Sequence, residues 1–142
     1  MSHIDPTPAQ FDIFESLNRD CPVEMLNLLR FRTLVSYPDD HEFIVAGLTG
    51  AEAYWFYGKY SIPIFIRVGG SIVWRGNYEA TLVGQTENVW HTAFIAHYPS
   101  THAFLEMVSD PDYQQAVLHR QAAVMNSRLI RWSATSDGNT FS

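Results

Sequence analysis

Cysteine and positive charge are both scarce in this sequence of 142 residues. Cys21 is the single cysteine, so no internal disulfide can form, and no C-x-x-C pair indicates zinc binding or thiol redox chemistry. Nine Lys and Arg residues stand against fifteen Asp and Glu residues, which gives a net charge of −6. The cations are scattered and form no basic stripe that would displace counterions from phosphates. We therefore predict a protein of a reducing compartment with no nucleic-acid partner.

Long apolar runs are missing as well. No stretch approaches the roughly 20 apolar residues that a membrane-spanning helix needs. Residues 1–10 also lack a basic segment followed by an apolar one, which is the pattern of a secretory leader. We therefore expect a cytoplasmic protein without a membrane partner.

Motifs for common cofactors and nucleophiles are absent too. The sequence contains no Gly-x-Ser-x-Gly, no Gly-x-Gly-x-x-Gly and no phosphate-binding loop. His102 and Glu106 lie four apart on a predicted helix, a spacing that metals use, but a solvated helix surface explains it as well. His91 and His97 share one face of a predicted strand about 20 Å apart, which is too far for one metal ion. We predict no cofactor and no metal.

Apolar residues are what the sequence has in quantity. They make up 46% of the chain and aromatic residues make up 14%, a composition that excludes a disordered protein. A chain of this length buries roughly two-thirds of its unfolded surface when it folds. We predict one domain over residues 1–142, with a helical extension at residues 1–20 and a flexible tail at residues 134–142.

Four capping signals predict helices. Each signal is a small polar residue placed just before a run with helical periodicity. The predicted caps are Thr7, Thr49, Ser100 and Asp110. The first helix is expected to end near Asn18, and Pro63 is a position at which a new segment can begin within the second helix.

Four segments have the composition of strands, namely residues 23–32, 71–84, 90–98 and 127–133. The first segment is apolar enough to predict a central strand that is buried on both faces. The second contains a bend or bulge near Gly76 and Asn77. Residues 37–47 fit a loop or a minor strand equally well, and residues 85–88 are expected to form a turn.

The order of these elements predicts the topology. Without the first helix it is strand, helix, strand, strand, helix, strand, which is typical of an α+β fold with ferredoxin-like topology. Such a fold has a four-stranded antiparallel sheet with helices on one face, and here an extra helix at the N-terminus. The strands offer more apolar side chains than one covered face requires. We therefore expect a homodimer in which a second copy covers the open face of the sheet.

Several short motifs occur in an order that is typical of one family. They are Met25 to Arg32, Gly69-Gly70, His97-Tyr98-Pro99-Ser100, Asp110-Pro111-x-Tyr113, His119-Arg120-x-Ala122-Ala123 and Ser127 to Ile130. Together they resemble the family called domain of unknown function 1330 over residues 7–132. The resemblance implies a dimeric α/β barrel, a superfamily that includes cofactor-free monooxygenases, isomerases, decarboxylases and proteins without known activity. One departure is His91, which follows Trp90 where the resemblance leads us to expect an acidic residue.

Three residues are candidates for ligand binding. An amide inside a buried apolar strand, such as that of Asn27, must find hydrogen-bond partners or cost about 1 to 3 kcal/mol. Asn27 is therefore predicted to face a ligand or, equally well, to be a structural amide satisfied by its neighbours. Tyr57 and Trp74 belong to a set of aromatic residues large enough to line a pocket for an apolar or aromatic ligand, with ordinary core packing as the alternative.

His97 and Arg120 are the candidate catalytic residues. His97 ends a predicted strand and titrates near neutrality, so it can act as a general acid or base, or it is a satisfied core histidine. Arg120 shares a helical face with Tyr113 and can orient a carboxylate or enolate, or it forms a salt bridge with Asp110 or Asp112. The sequence thus predicts a dimeric protein with a small-molecule pocket. The alternative is a cofactor-independent enzyme of the monooxygenase, isomerase or decarboxylase type that acts on a small aromatic or keto compound.

Overall fold

The computed structural model of the protein describes residues 2–87, 89–136, 138 and 140–141. It contains four helices and four strands in these residues. In chain order the elements are α1 (Pro8–Ser16), β1 (Val23–Phe31), α2 (Gly50–Arg67), β2 (Ser71–Asn77), β3 (Thr92–Tyr98), α3 (Thr101–Ser109), α4 (Pro111–Ala123) and β4 (Val124–Trp132).

The four strands form one antiparallel sheet in the order β2-β3-β1-β4. The sheet therefore has the ferredoxin-like topology that the element order predicted, with β1 and β3 as its central strands. Asn27 in β1 lies opposite Phe94 in β3 and Leu129 in β4, and this register fixes which side chains share a face. No helix of the described residues is long and apolar enough to cross a membrane.

All four predicted caps begin helices. The Oγ of Thr7, Thr49 and Ser100 accepts a bond from a backbone N–H in the first turn of α1, α2 and α3, respectively. Asp110 accepts two such bonds at the start of α4. A side-chain oxygen at this position replaces the partner that the first N–H groups of a helix lack, so each helix begins where the local sequence dictates.

Pro63 does not divide α2, which corrects the expected second segment. Proline removes one hydrogen bond, to the carbonyl four residues earlier on Lys59. Both residues lie on the exposed side of the helix, where the carbonyl is open to solvent, while Ile64 and Phe65 are buried next to the proline and hold the helix in place.

The side chains of β1 alternate between two environments from Val23 to Arg30. Val23, Met25, Asn27 and Leu29 are buried on the helix side of the sheet. The residues between them are half-buried on the other side, so the strand is not fully covered on both faces as its composition suggested. We call this second side the open face. Its large apolar residues are Leu26, Leu28, Trp74, Ile95, Ile130 and Trp132.

The strand β2 is shorter than predicted and carries its irregularity at a different place. It ends at Asn77 rather than at residue 84, and the register with β3 shifts between Ile72 and Trp74 instead of near Gly76. The chain from 78 onward leaves the sheet, and Tyr78 N–H donates to the carbonyl of His91 at 3.2 Å to close this long connection.

Three segments outside the sheet were predicted as loops, turns or a tail. Residues 37–47 form turns and no strand. The predicted turn at 85–88 includes residue 88, and the predicted tail at 134–142 includes residues 137, 139 and 142, which lie outside the described residues.

The first residue of α2 lies against backbone on two sides. Gly50 N–H donates to the carbonyl of Arg32 at 3.0 Å. A Cβ atom at Gly50 would lie 2.2 Å from that same oxygen and 2.7 Å from the carbonyl oxygen of Ala123. Only glycine permits this approach, which ties α2 to both β1 and α4 at one point.

Candidate functional site

A cavity of about 1580 Å³ lies between the helix side of the sheet and the helices. Its wall includes residues of α1, α2, α4 and all four strands, together with the segment that precedes α1. Three of the five predicted site residues line it: Asn27 from β1, Tyr57 from α2 and Arg120 from α4. The fold thus brings together residues that are up to 93 positions apart in the sequence.

Asn27 supplies an amide to the floor of the cavity. Its side chain is buried, and Nδ2 donates to the carbonyl of Met25 at 3.1 Å. No bond to Oδ1 is formed by the described residues, which leaves this acceptor directed at the cavity. The amide therefore has one structural bond and one atom that can contact a ligand.

Two tyrosines form the polar centre of the wall. The hydroxyl oxygens of Tyr57 and Tyr113 are 2.8 Å apart. Burial raises the pKa of both groups, because removal from water disfavours the phenolate. Burial also raises the pKa of Tyr54, one helical turn before Tyr57. All three hydroxyls therefore stay protonated at neutral pH and can donate hydrogen bonds.

Arg120 places a buried guanidinium at the same wall. Nη1 donates to the carbonyl of Ile4 at 2.6 Å, and Nη2 donates to Oγ of Ser127 at 3.2 Å. Ser127 in turn donates to the carbonyl of His3 at 2.8 Å. These bonds hold the segment before α1 across one end of the cavity, an arrangement between distant parts of the chain that no local motif indicates.

The predicted salt bridge of Arg120 with Asp110 or Asp112 is wrong. Asp110 pairs with Arg67 on α2 instead. The interaction with Arg67, together with the N–H groups of Asp112 and Tyr113, lowers the pKa of the Asp110 carboxyl. Arg120 lies two to three turns further along α4, and its side chain points to the cavity rather than to the start of its own helix.

His97 does not line the cavity, which corrects its predicted placement there. Phe94, Ala96 and Tyr98 share the face of Asn27, so the intervening His97 must lie on the open face. There its Nδ1 is 2.6 Å from Oε1 of Glu24, the residue directly opposite on β1. An imidazole in this position cannot exchange a proton with a ligand on the other side of the sheet.

Trp74 also lies on the open face and does not line the cavity as predicted, because of a bulge in β2. Ile72 and Trp74 are two apart and would share a face in a regular strand. The bulge between them inserts one extra residue, so Ile72 pairs with Ala96 on the helix side while Trp74 pairs with Ile95 on the open face.

His91 is a cavity residue that the sequence did not single out as one. The chain bends just before β3, so His91 does not share a strand face with His97 as predicted. Its Nδ1 accepts a bond from Phe31 N–H at 3.0 Å. The neutral ring therefore carries its proton on Nε2, where it can act as a donor. Its only sequence signal was the departure from the expected acidic residue after Trp90.

The described residues contain no group of three or more His, Cys, Asp or Glu side chains arranged to hold a metal ion. His102, half of the weak metal candidate, directs Nε2 to Oδ1 of Asp20 at 3.1 Å rather than to Glu106. The cavity wall instead offers hydrogen-bond donors: guanidinium groups, tyrosine hydroxyls and an imidazole.

Comparison with models of protein families shows to which family the chain belongs. The model of the domain of unknown function DUF1330 matches residues 44–131, more than half of the chain. The chain belongs to the DUF1330 family. The match includes α2, α3, α4, β2 and β3, and hence Tyr57 and Arg120 of the cavity wall, whereas Asn27 precedes it. No curated protein matches this DUF1330 chain.

Solved structures agree with this assignment. A protein of unknown function from Rhodopseudomonas palustris is 49% identical, with 93% of this chain and 96% of that chain covered and a TM-score of 0.86. The methylated form of that protein gives a TM-score of 0.89 at 47% identity, with 97% and 98% of the two chains covered. SnoaB, a cofactor-independent oxygenase from Streptomyces nogalater, shares the fold at 15% identity and a TM-score of 0.52, with 84% and 99% covered.

Proposed function

We propose that this protein is a homodimer that binds a small molecule with an apolar body in the cavity between sheet and helices. The observation that carries the proposal is the convergence of Asn27, Tyr57 and Arg120 on one cavity of about 1580 Å³. Ligand sites in proteins are typically concave, mostly apolar and furnished with a few convergent polar groups. The remaining wall matches this pattern, because Phe65, Phe94 and other aromatic residues line it.

The dimer is proposed from the open face. Trp74 and Trp132 each expose more than half of their surface there, next to the half-buried Leu26, Leu28 and Ile95. An apolar patch of this kind on a soluble domain marks an interaction surface, and a two-fold dimer covers it with an identical patch.

Ligand binding is tested by titrating small aromatic and keto compounds into the protein and following backbone amide signals by NMR. We expect shifts at residues of the cavity wall, and we expect none in the Ala96→Phe variant. Ala96 is buried on β3 at the cavity wall, so a phenyl ring there fills space that a ligand needs. Circular dichroism of the variant checks that it folds. Binding that survives in the folded variant contradicts the proposed location.

A second candidate function is cofactor-independent catalysis on a small keto compound. The donors around Arg120 and Tyr57 favour it, because they can stabilise the negative charge of an enolate oxygen. Of the three reaction types considered, decarboxylation of a β-keto acid suits the wall best. The bond to the carboxylate breaks, carbon dioxide leaves, and the electron pair passes to the enolate, which then takes a proton from a donor or water.

Decarboxylation requires no side chain to remove a proton from carbon, and Asp5 is the only carboxylate among the described residues of the wall. This reaction does not need the general acid or base role that the sequence predicted for His97. Release of carbon dioxide from acetoacetate and larger β-keto acids, compared between the protein and its Arg120→Met variant, tests this candidate. Equal rates in both proteins contradict it.

A further inference from the structure

The charges around the cavity are opposite to those of the whole chain. The protein carries a net charge of −6, yet six of its nine Lys and Arg residues line the cavity. They are Arg32, Lys59, Arg75, Arg120, Arg131 and Arg128, the last of which lies on the open-face side of the edge strand β4. Asp5 is the single carboxylate among the described residues of the wall, out of fifteen acidic residues in the chain. Positive charge is therefore concentrated at the cavity, although the protein as a whole is acidic.

None of these six cations is neutralised by a carboxylate of the described residues. The arginines that form ion pairs there are Arg19, with Glu15, and Arg67, with Asp110, and neither arginine lines the cavity. Lys59 and Arg75 are exposed, but the other four are buried or half-buried, and burying a cation without a counter-charge is costly. Cations left unpaired at a cavity favour a site whose counter-charge arrives with a ligand.

Arg120 and Arg75 are the two cavity cations best placed to bind the negative group of a ligand. Arg120 is 8% exposed, and its bonds go to two neutral oxygens, the carbonyl of Ile4 and the hydroxyl of Ser127. Arg75 lies on β2 opposite Phe94, on the cavity side of the sheet. Both guanidinium groups are close enough to Tyr54 to oppose the rise in the pKa of its hydroxyl. Both cations therefore line the same cavity and act on the same tyrosine of its wall.

Arg32 adds a further unsatisfied donor to the same cavity. Its Nε is enclosed and donates to no group of the described residues. Buried polar atoms without a partner are rare in folded proteins, and each one calls for an explanation. A ligand oxygen or an ordered water molecule is the simplest partner for this atom.

Building on the proposed function, we infer that the ligand of this cavity is an organic carboxylate, held by its charged group between Arg120 and Arg75 and by its apolar body against Phe65 and Phe94. A guanidinium presents two parallel N–H donors that match the two oxygens of a carboxylate. The tyrosine hydroxyls and the Nε2 proton of His91 line the same cavity and offer further donors.

The test uses two probes of similar shape, one with a carboxylate and one with an uncharged acetyl group. Naphthoate and methyl naphthyl ketone have the same aromatic body, but only the first is an anion at neutral pH. We expect isothermal titration calorimetry to show naphthoate binding at least about tenfold more tightly than the ketone, because hydrogen bonds to charged groups are the stronger ones. Naphthoate affinity, and not ketone affinity, is expected to fall as the salt concentration rises.

Variants separate the cavity cations from general surface charge. Arg75→Gln and Arg120→Met are each expected to weaken naphthoate binding by about tenfold or more and to weaken ketone binding by less. Arg19→Gln removes an exposed arginine outside the cavity and is the matched control, with no change expected. Arg75 is exposed on an edge strand, so its variant remains informative if Arg120→Met does not fold.

Each outcome decides between the two proposals. Equal binding of both probes, with no effect of Arg75→Gln, overturns the carboxylate inference and leaves the binding cavity in place. Binding of neither probe, in a titration that reaches millimolar concentrations, counts against both. Naphthyl phosphate binding more tightly than naphthoate overturns the choice of a carboxylate in favour of a phosphate ester.

Discussion

From Val23 to Arg30, the residues that β1 contributes to the helix side of the sheet are buried, whereas those that it contributes to the open face are half-buried. The helix side holds Asn27 and the cavity wall with its unpaired cations. The open face holds mostly apolar residues, together with Arg30, Arg128 and the pair Glu24 and His97, whose Oε1 and Nδ1 are 2.6 Å apart. The side already covered by the chain's own helices thus carries the polar groups suited to a ligand. The uncovered side carries the apolar surface suited to a partner.

The largest effect is expected from a charge on the open face. Ile95→Glu places a carboxylate in the middle of β3 on that face, where a dimer interface would have to bury it without a partner. We expect the mass measured by light scattering to fall from that of a dimer to that of a monomer. Ile13→Glu, on an exposed position of α1, is the control and should leave the mass unchanged. A monomeric wild-type protein would remove the basis of this comparison.

Two adjacent leucines of β1 give the next largest contrast. Leu29 is fully buried on the helix side, and its neighbour Leu28 is half-buried on the open face. In the Ile95→Glu monomer, Leu29→Ala should lower the free energy of unfolding by about 2 to 5 kcal/mol, because it leaves a cavity in the core. Leu28→Ala should lower it by about 1 kcal/mol or less, because water already reaches that side chain. Denaturant unfolding measures both, and equal losses would contradict the assignment of the faces.

The burial of His119 predicts a pH effect of intermediate size. His119 on α4 is buried, its Nδ1 lies 2.7 Å from the Tyr37 hydroxyl, and burial together with nearby His41 lowers its pKa below 6.5 against a weaker opposing effect of Glu42. The unfolded chain then binds a proton before the folded one does. Stability should be complete above pH 6.5 and should fall as the pH drops through the lowered pKa, by about 1.4 kcal/mol for each pKa unit of difference.

Unfolding measured at pH 7.5 and at pH 5 checks this prediction in the wild type and in His119→Gln. The variant should be less stable at pH 7.5, because it loses the contacts of the imidazole ring with its aromatic neighbours. It should also lose less stability than the wild type on acidification. A decline of the same size in both proteins would assign the pH dependence to other groups.

The smallest effect is expected at the tyrosine pair of the cavity. Tyr113→Phe removes one hydroxyl of the 2.8 Å contact and should cost about 0.5 to 1.5 kcal/mol of stability. Tyr78→Phe removes an exposed hydroxyl that bonds to Thr81 and should cost less. If Tyr78→Phe lowers the free energy of unfolding as much as Tyr113→Phe does, the hydrogen bond between the cavity tyrosines stabilises the fold no more than a surface bond.

Local rules predicted the helices well because caps are decided within one turn. Thr7, Thr49, Ser100 and Asp110 all begin helices, and the strand order followed from element order and topology alone. The same kind of reasoning placed Asn27, Tyr57 and Arg120 at the cavity wall, although their proposed roles in binding await the experiments above.

The errors arose where one residue of register decides the face. A single bulge places Trp74 on the open face of β2. Strand alternation places His97 of β3 on the open face, on the other side of the sheet from Asn27. Neither the bulge position nor the pairing register is encoded by a short motif. The contact of Arg120 with Ile4 joins residues 116 positions apart, so only the folded chain reveals it.

The close approach at Gly50 has a consequence for the shape of the cavity. Because three backbone segments touch there, α2 is anchored at its first residue, and Tyr57 lies seven residues further on, about 10 Å along the helix axis. Tilting α2 about this anchor moves Phe65, near the distal end, roughly twice as far as Tyr57. The end of the cavity lined by Phe65 would therefore respond to such a tilt about twice as strongly as the part lined by Tyr57.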